Sequence, residues 1–254
     1  MTTPIKIRPL TGLPEIAEGA PLGRLLAESA AAAGPAPADG DAVVVSQKVV
    51  SKAEGRTRSL AAVEPRAEAT ELAERLGKDP RLVELVLSES QRIVRAERGV
   101  LIVETAGGWI CANAGIDGSN VPGTDGVTLL PVDADASARR IRSELEAACG
   151  ARPAVVIADS FGRPWRVGQV DVAIGCAGLV ALDDWRGRTD ALGGELAATA
   201  IAIADQLAAG ADLARVKDSR MPAALATGIS RWWTADDGAG ARAIQRAAED
   251  DLFR

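Results

Sequence analysis

An aspartate, a hydroxyl and two arginines come directly behind an apolar, β-prone run of the sequence. The run covers residues 154–158, and Asp159 and Ser160 come next. We expect the strand to end at Asp159, because such strands bring a carboxylate to the edge of a sheet, where it can meet a metal ion or a substrate. Arg163 and Arg166 follow within seven residues. They either hold carboxylate or phosphate groups in bidentate fashion or pair with nearby acids.

A second carboxylate, Asp117, lies in a long segment rich in glycine, asparagine, aspartate and serine. Residues 113–126 have no hydrophobic period, and loops of this length in compact domains usually carry function. Mg2+ and Mn2+ prefer oxygen ligands, typically one or two carboxylates with phosphate and water. Asp117 and Asp159 could share one such ion if the fold brings them together. Alternatively, Asp117 caps a turn, and Asp159 caps a helix or accepts a hydrogen bond from Arg163.

Two lysines, Lys48 and Lys52, flank the end of another predicted buried strand. A lysine in this position either contacts a phosphate group as a point charge or is a solvated surface residue. The sequence alone leaves both interpretations open.

Several common catalytic designs are excluded by the sequence. The chain has no histidine, so a Ser-His triad is impossible. Neither a GxxxxGK[ST] phosphate loop nor a GxGxxG dinucleotide fingerprint occurs. The chemistry must therefore use carboxylates, lysine, arginine, backbone groups or a metal ion.

The composition is that of an ordinary globular protein, with 254 residues, 47% hydrophobic and 25% charged. The net charge of -6 argues against a nucleic-acid or anionic-membrane partner. Cys111, Cys149 and Cys176 are far apart without CxxC spacing, which argues against zinc and favours a reducing cytoplasm. We expect no signal peptide, and no membrane span, because no run of about 18 apolar residues occurs.

Hydrophobic periodicity and turn residues indicate the elements that must position these side chains. They predict helices at residues 22–33, 65–76, 80–90, 134–148, 195–209 and 241–253. They predict strands at residues 5–10, 42–50, 91–96, 100–104, 109–111, 127–130, 154–158 and 170–173. This arrangement is an α+β pattern rather than regular βαβ alternation. We expect a single unit of two interleaved subdomains, with a boundary near residues 60–95, where two charged helices interrupt the strands.

Several motifs occur in a fixed order over nearly the whole chain. They are GLPEI at 12–16, GDAVVVSQKVVSKAEG at 40–55, AGIDGSNV at 114–121, LLPVD at 129–133 and DSFGRPWR at 159–166, followed by Gly168-Gln169, Ala211-Asp212-Leu213 and Pro222. In these motifs the chain resembles the coenzyme F420-0:L-glutamate ligases, also called F420 gamma-glutamyl ligases.

The resemblance implies a GTP-dependent ligase. Such enzymes join L-glutamate to the lactyl carboxylate of coenzyme F420-0 through an acyl phosphate, release GDP and phosphate, and can add a further γ-linked glutamate. They use Mg2+ or Mn2+ and are stimulated by K+. The resemblance also implies a two-part α+β fold, with mixed or antiparallel sheets and flanking helices, and an intertwined homodimer.

The family's functional residues can be carried over by motif. The implied metal ligands are Asp117, Asp159 and Ser160. The implied nucleotide contacts are Leu13, Pro14, Glu15, Ile16, Gln47, Lys52 and Asn120, with a covering loop from Lys217 to Pro222. Asp117, Asp159 and Lys52 would carry the catalysis.

The sequence departs from the family pattern at three of these places. Ser160 stands where threonine is usual, Gln47 replaces a small hydroxyl residue, and Val216 replaces a glycine before Lys217. The changes at Gln47 and Val216 leave open an amide ligase for a related phosphorylated carboxylic acid. A nucleotide-binding regulatory homologue without ligase activity is a second alternative, but the intact Asp117, Asp159 and Lys52 favour the ligase over it.

Overall fold

The computed structural model describes residues 3–119, 125–216 and 218–252 of the chain. The α-helices of these residues are α1 (Leu22–Ala32), α2 (Gln47–Ala53), α3 (Ala67–Leu76), α4 (Pro80–Ser88), α5 (Ala134–Cys149) and α6 (Ile203–Arg215). Their strands are β1 (Lys6–Leu10), β2 (Ala42–Ser46), β3 (Thr57–Ser59), β4 (Ser90–Glu97), β5 (Val100–Thr105), β6 (Ile110–Ala112), β7 (Gly126–Thr128), β8 (Ala154–Arg163), β9 (Arg166–Ala177), β10 (Leu182–Asp184), β11 (Ala200–Ala202) and β12 (Ala223–Thr227).

The largest sheet has five strands in the order β1-β12-β2-β8-β9. Only β2 and β8 run parallel within it; the other pairs are antiparallel. Successive residues of β2 and β8 alternate between two buried clusters, so both faces of the sheet are covered. Helices α1 and α5 pack on one face and α6 packs on the other. This double cover gives a rigid frame for the side chains at the sheet edge.

A separate apolar cluster lies among α3, α4 and the three-stranded sheet β4-β5-β6. Leu72, Val83, Val86, Leu101 and Val103 form its centre. Helix α3, one of the two charged helices predicted from the sequence, buries one apolar side in this cluster. The α+β class is thereby confirmed, with several mixed or antiparallel sheets and flanking helices. The subdomain boundary near residues 60–95 and the intertwined dimer stay predictions.

The expected strand at 42–50 is wrong in its second half. The strand ends at Ser46, and the next seven residues form α2. Ser46 has extended backbone angles and its hydroxyl accepts a hydrogen bond from the amide of Lys48. This N-cap starts a helix although Val49 and Val50 continue the β-prone composition.

The expected end of a strand at Asp159 is also wrong. β8 continues to Arg163 because it turns back directly into β9, and Asp159 pairs with Val172 in this hairpin. β2 ends where its Ser46 pairs with Ala158. Asp159 therefore lies just beyond the end of the neighbouring parallel strand, at the sheet edge, although its own strand goes on.

Two expected helices differ near the C-terminus. The helix expected at 195–209 begins only at Ile203, after the short strand β11. The helix expected at 241–253 is replaced, within the described residues, by two 3-10 turns at Ala241–Ile244 and Ala248–Asp250. The amide of Ala241 donates to the buried Asp135 carboxylate, and Gln245 donates to the carbonyl of Gly107. These tertiary contacts override the local helical propensity of the segment.

None of the helices in the described part of the chain is long and apolar enough to cross a bilayer. The three cysteines are free thiols, and Cys111 and Cys176 are buried, as expected for small core residues.

Candidate functional site

Helix α2 brings two lysines to the edge of the sheet directly after β2. Lys48 and Lys52 are four residues apart and therefore lie on the same side of the helix. Lys48 Nζ lies 2.8 Å from Asp117 Oδ2 and donates to Ser119 Oγ at 2.6 Å. Lys52 Nζ forms an ion pair with Glu15. The helix therefore connects the Asp117 loop with the segment at 13–16.

Asp117 is held in place by backbone and side-chain hydrogen bonds. Its amide and carbonyl pair with those of Thr128 at 3.1 and 2.9 Å, and the Ser119 amide donates to Asp117 Oδ1 at 2.6 Å. Burial alone would raise the pKa of Asp117, but the hydrogen bonds from Lys48 and Ser119 outweigh it and lower the pKa below its usual value. Asp117 is therefore an ionised carboxylate with a fixed orientation.

The turn that leads into Asp117 has an unusual backbone. Asn113, Ala114 and Gly115 have φ angles of 52°, 54° and 69°, a left-handed conformation that is costly for residues with a Cβ atom. A Cβ atom on Gly115 would come within 2.7 Å of the Leu130 side chain. This close approach explains the glycine at this position, and the turn sets the direction in which the Asp117 loop leaves β6.

Asp159 lies near enough to the loop of Asp117 for the charge of Asp117 to change the pKa of Asp159. Burial raises the pKa of Asp159 to about 7; the Ser160 amide opposes this shift, and the charges of Asp171 and Asp117 add to it. Lys48 is the cation that lowers the pKa of Asp159. The structure thus brings Asp159 close to Asp117 and Lys48. The charge of Asp117 disfavours the ionised form of Asp159, and Lys48 partly offsets this effect.

This arrangement fits a divalent cation of the Mg2+ type, although it does not enclose one. Among residues 3–119, 125–216 and 218–252, no three acidic or thiol side chains are grouped so that they could hold a metal ion. Asp117, Asp159 and Ser160 supply hard oxygen donors, and a bound cation would offset the burial and the neighbouring carboxylates that raise the pKa of Asp159. Because Mg2+ commonly takes only one or two protein carboxylates and completes its shell with phosphate and water, the residues fit an ion shared with a phosphorylated ligand.

Ser160 is joined to two residues that sequence reasoning missed. Its hydroxyl donates to Asp171 Oδ1 at 2.5 Å, and Asp171 Oδ2 pairs with the Arg215 guanidinium. The side chains of Asp171 and Arg215 are only 5% and 7% exposed. An acid within the apolar run of β9 is a detectable signal, since buried carboxylates need partners. Nothing in the sequence pointed to Arg215.

The segment expected to line the nucleotide divides into inward and outward residues. Ile16 is buried in the main core and Leu13 packs partly against it. Pro14 and Glu15 are exposed, and Glu15 reaches Lys52. Pro14 and Glu15 are therefore exposed beside α2, whereas Leu13 and Ile16 attach the segment to the core.

Gln47, the remaining described candidate, is almost completely buried. Its Oε1 accepts from Ser51 Oγ at 2.9 Å, whereas its Nε2 finds no acceptor among the described residues. A buried donor without an acceptor lowers stability by about 1–3 kcal/mol. The predicted contacts at Asn120 and Lys217 lie outside the described residues.

A cavity of about 200 Å3 lies away from these candidate side chains. Its walls include Arg56, Trp109, Leu130, Ile174 and Arg242. Arg56 is already paired with Glu89 at 2.6 Å. None of the described candidate residues lines this cavity, so it is separate from the site predicted from the sequence.

Comparison with known proteins gives concordant matches over nearly the whole chain. The profile of the family described as F420-0:Gamma-glutamyl ligase matches residues 12–228. A coenzyme F420:L-glutamate ligase of Methanothermobacter thermautotrophicus is 42% identical over 245 residues, covering 96% of each chain. Proteins of the same name from Methanopyrus kandleri and Natronomonas pharaonis are 42% and 43% identical, covering 98% and 96% of this chain and 98% and 92% of theirs.

Proposed function

Because the chain belongs to the F420-0:Gamma-glutamyl ligase family, we propose that it joins L-glutamate to coenzyme F420-0 in a GTP-dependent reaction. The observation that carries this proposal is the meeting of Asp117, Asp159 and Lys48 at the end of β2. Relatives that match over nearly their full length bear the name of this ligase.

The reaction requires activation of a carboxylate, which is a poor electrophile. We propose that the lactyl carboxylate oxygen attacks the γ-phosphorus of GTP, so that the bond to the β-phosphate oxygen breaks and GDP leaves. The glutamate amine then attacks the acyl carbon, phosphate leaves with the bonding electrons, and the amine proton passes to solvent. No protein nucleophile is needed, since catalysis of phosphoryl transfer consists mainly of positioning and charge stabilisation. The reaction can therefore proceed in a chain without histidine.

The proposed roles rest on the resemblance to the family and are compatible with the contacts of each side chain. Asp117, Asp159 and Ser160 would hold Mg2+ or Mn2+, which when bound neutralises charge on the transferred phosphoryl group. Lys52 would exchange Glu15 for a phosphate oxygen. The exchange would return the Glu15 carboxylate to water, since its side chain is 73% exposed, and would give the Lys52 ammonium, whose side chain is only 10% exposed, a new anionic partner.

Stimulation by K+ and assembly into an intertwined homodimer belong to the same proposal and rest on the resemblance to the family. The assignment of Leu13, Pro14, Glu15, Ile16, Gln47, Asn120 and Lys217 to the nucleotide rests on the same ground. A cytoplasmic location is also proposed, from the number and spacing of the three cysteines. The net charge of -6 supports small-molecule substrates over nucleic acid or an anionic membrane.

The test is incubation of the protein with F420-0, L-glutamate, GTP and Mn2+, followed by mass spectrometry. We expect a product whose mass is higher by one glutamate residue. One GDP should be released for each bond formed. Omission of glutamate, replacement of GTP by ATP, and the Asp159→Asn variant serve as controls. GTP binding without product would identify a regulatory homologue, and turnover only with another phosphorylated carboxylic acid would identify a related amide ligase.

A further inference from the structure

Ser160, Asp171 and Arg215 form a continuous chain of hydrogen bonds across three elements. Ser160 on β8 faces Asp171 on β9 in the hairpin register, and its hydroxyl donates to Asp171 Oδ1. Arg215, the last residue of α6, binds the other oxygen of the same carboxylate. Ser160 and Asp171 are 11 residues apart, and Asp171 and Arg215 are 44 apart.

The direction of each hydrogen bond in this chain is determined by the residue types. Arginine carries only donors, so the Asp171 carboxylate accepts from Arg215 through Oδ2 and from the Ser160 hydroxyl through Oδ1. The hydroxyl proton of Ser160 must therefore point towards Asp171. Ser160 Oγ can then act only as an acceptor, or as a ligand, towards other groups. A hydroxyl whose proton is turned away can bind a cation through its oxygen lone pairs, but it cannot donate a second hydrogen bond.

Arg215 also binds the backbone of Pro222, the residue directly before β12. Its Nη1 donates to the Pro222 carbonyl at 3.2 Å, and the Ser46 amide donates to the same carbonyl at 2.8 Å. Ser46 is the residue that caps α2. The guanidinium thus connects the Ser160 hydroxyl with the start of the helix that carries Lys48.

Stability alone is a weak reason for this buried ion pair. Removing two charges from water often costs as much as their attraction returns. Helix α6 is already attached to the sheet by apolar contacts of Ala204, Leu207 and Ala208, and Asp205 Oδ1 accepts from the Ala173 amide at 2.9 Å. The pair is therefore not needed to attach α6.

We propose that Asp171 and Arg215 are positioning residues that hold the Ser160 hydroxyl as an acceptor towards the divalent cation of the ligase reaction. This inference rests on the proposed function, because that function supplies the cation. Outer partners of metal ligands typically change metal affinity or activity by roughly 10–100-fold when they are replaced.

The test measures the dissociation constant of Mn2+ by electron paramagnetic resonance, with the β,γ-imido analogue of GTP present. In the Asp171→Asn variant the new amide oxygen turns towards Arg215, so its NH2 group faces Ser160. The hydroxyl must then accept from Asn and direct its own proton outward. We expect the Mn2+ dissociation constant to rise roughly tenfold or more. Ser160→Ala should raise it similarly, and the double variant should match Ser160→Ala alone.

Asp237→Asn is the control, since it breaks another arginine–aspartate pair at 2.8 Å, in which the Arg142 side chain is fully buried and that of Asp237 is 31% exposed. It should lower the melting temperature without changing Mn2+ affinity. A wild-type dissociation constant in Asp171→Asn, or multiplied effects in the double variant, would overturn the inference.

Product formation, assayed separately on the wild-type protein, distinguishes the two proposals. Mn2+ binding with the expected coupling but without ligation refutes the proposed function alone. Ligation with an unaltered Asp171→Asn dissociation constant refutes only the positioning role. Absence of Mn2+ binding by the wild-type protein also overturns the positioning role.

Discussion

The Asp159→Asn substitution should stabilise the metal-free protein at neutral and alkaline pH while abolishing its activity. Asp159 is the candidate ligand with the most unfavourable surroundings, because burial and the charges of Asp171 and Asp117 raise its pKa to about 7. Asparagine keeps the shape of the side chain and removes the charge.

The size and sign of the change in the free energy of unfolding follow from the pKa values of Asp159 in the folded and unfolded states. The folded pKa of about 7 exceeds the ordinary value of 3.8, so the folded state keeps a proton that the unfolded state has lost. The free energy of unfolding therefore falls as pH rises from about 4 to about 7 and levels off above that range. At about 1.4 kcal/mol per pKa unit, the upper limit of the loss is roughly 4 kcal/mol. The Asp159→Asn variant should not lose this free energy of unfolding, because asparagine has no proton to release in this pH range.

The assay is thermal unfolding of both proteins in chelator at several pH values between about 4 and 8.5. Near pH 4 the two melting temperatures should agree, and above pH 7 the variant should melt higher by up to about 10 °C. Added Mn2+ should narrow the gap, since a cation relieves the repulsion in the wild-type protein. Glu68→Gln on the exposed side of α3 controls for the loss of one negative charge. A difference that is independent of pH, or an asparagine variant that is less stable at pH 8, would refute the electrostatic reasoning.

Three further predictions concern other side chains and the assembly. Lys48→Met leaves the Asp117 carboxylate without its 2.8 Å partner and should lower kcat/KM on the order of tenfold to a hundredfold. Glu28→Gln, in the exposed ion pair with Arg24, should change kcat/KM less than about threefold, and equal losses in steady-state kinetics would contradict the role of Lys48. Burial raises the pKa values of Cys111 and Cys176 to about 12, so iodoacetamide at pH 8 should modify them only as fast as the protein unfolds, and rapid labelling in peptide mapping would disprove their burial. Sedimentation should give a dimer of twice 26.2 kDa, and a monomer at all concentrations would exclude the intertwined assembly.

The sequence predicted the general architecture well because hydrophobic periodicity depends on local residues. β1, α1 and α5 lie within one or two residues of their predicted positions. Asp79 caps α4 and Pro80 is its first residue, and both residue types favour these positions at a helix start. Gly150, with a φ of 74°, ends α5. Residues whose conformation is set by neighbours in the chain are therefore predictable.

The errors occur where a distant contact or a single cap decides the structure. The composition around Val49 favours a strand, but one hydroxyl at Ser46 starts a helix. The segment after Ala241 is rich in alanine, but the carboxylate of Asp135, over a hundred residues earlier, binds its backbone. Arg215 gave no local signal because its partner lies 44 residues away.

The hairpin of β8 and β9 has a mechanical consequence. Beyond Ala158 it leaves the support of β2, and Trp165 and Val167 near its tip are 81% and 98% exposed. At about 3.3 Å per residue, the arm reaches on the order of 15 Å from the last residue paired with β2. Asp159, Ser160 and Asp171 all lie at the base of this hairpin. A contact at the tip would therefore shift or restrict their carboxylate and hydroxyl oxygen atoms.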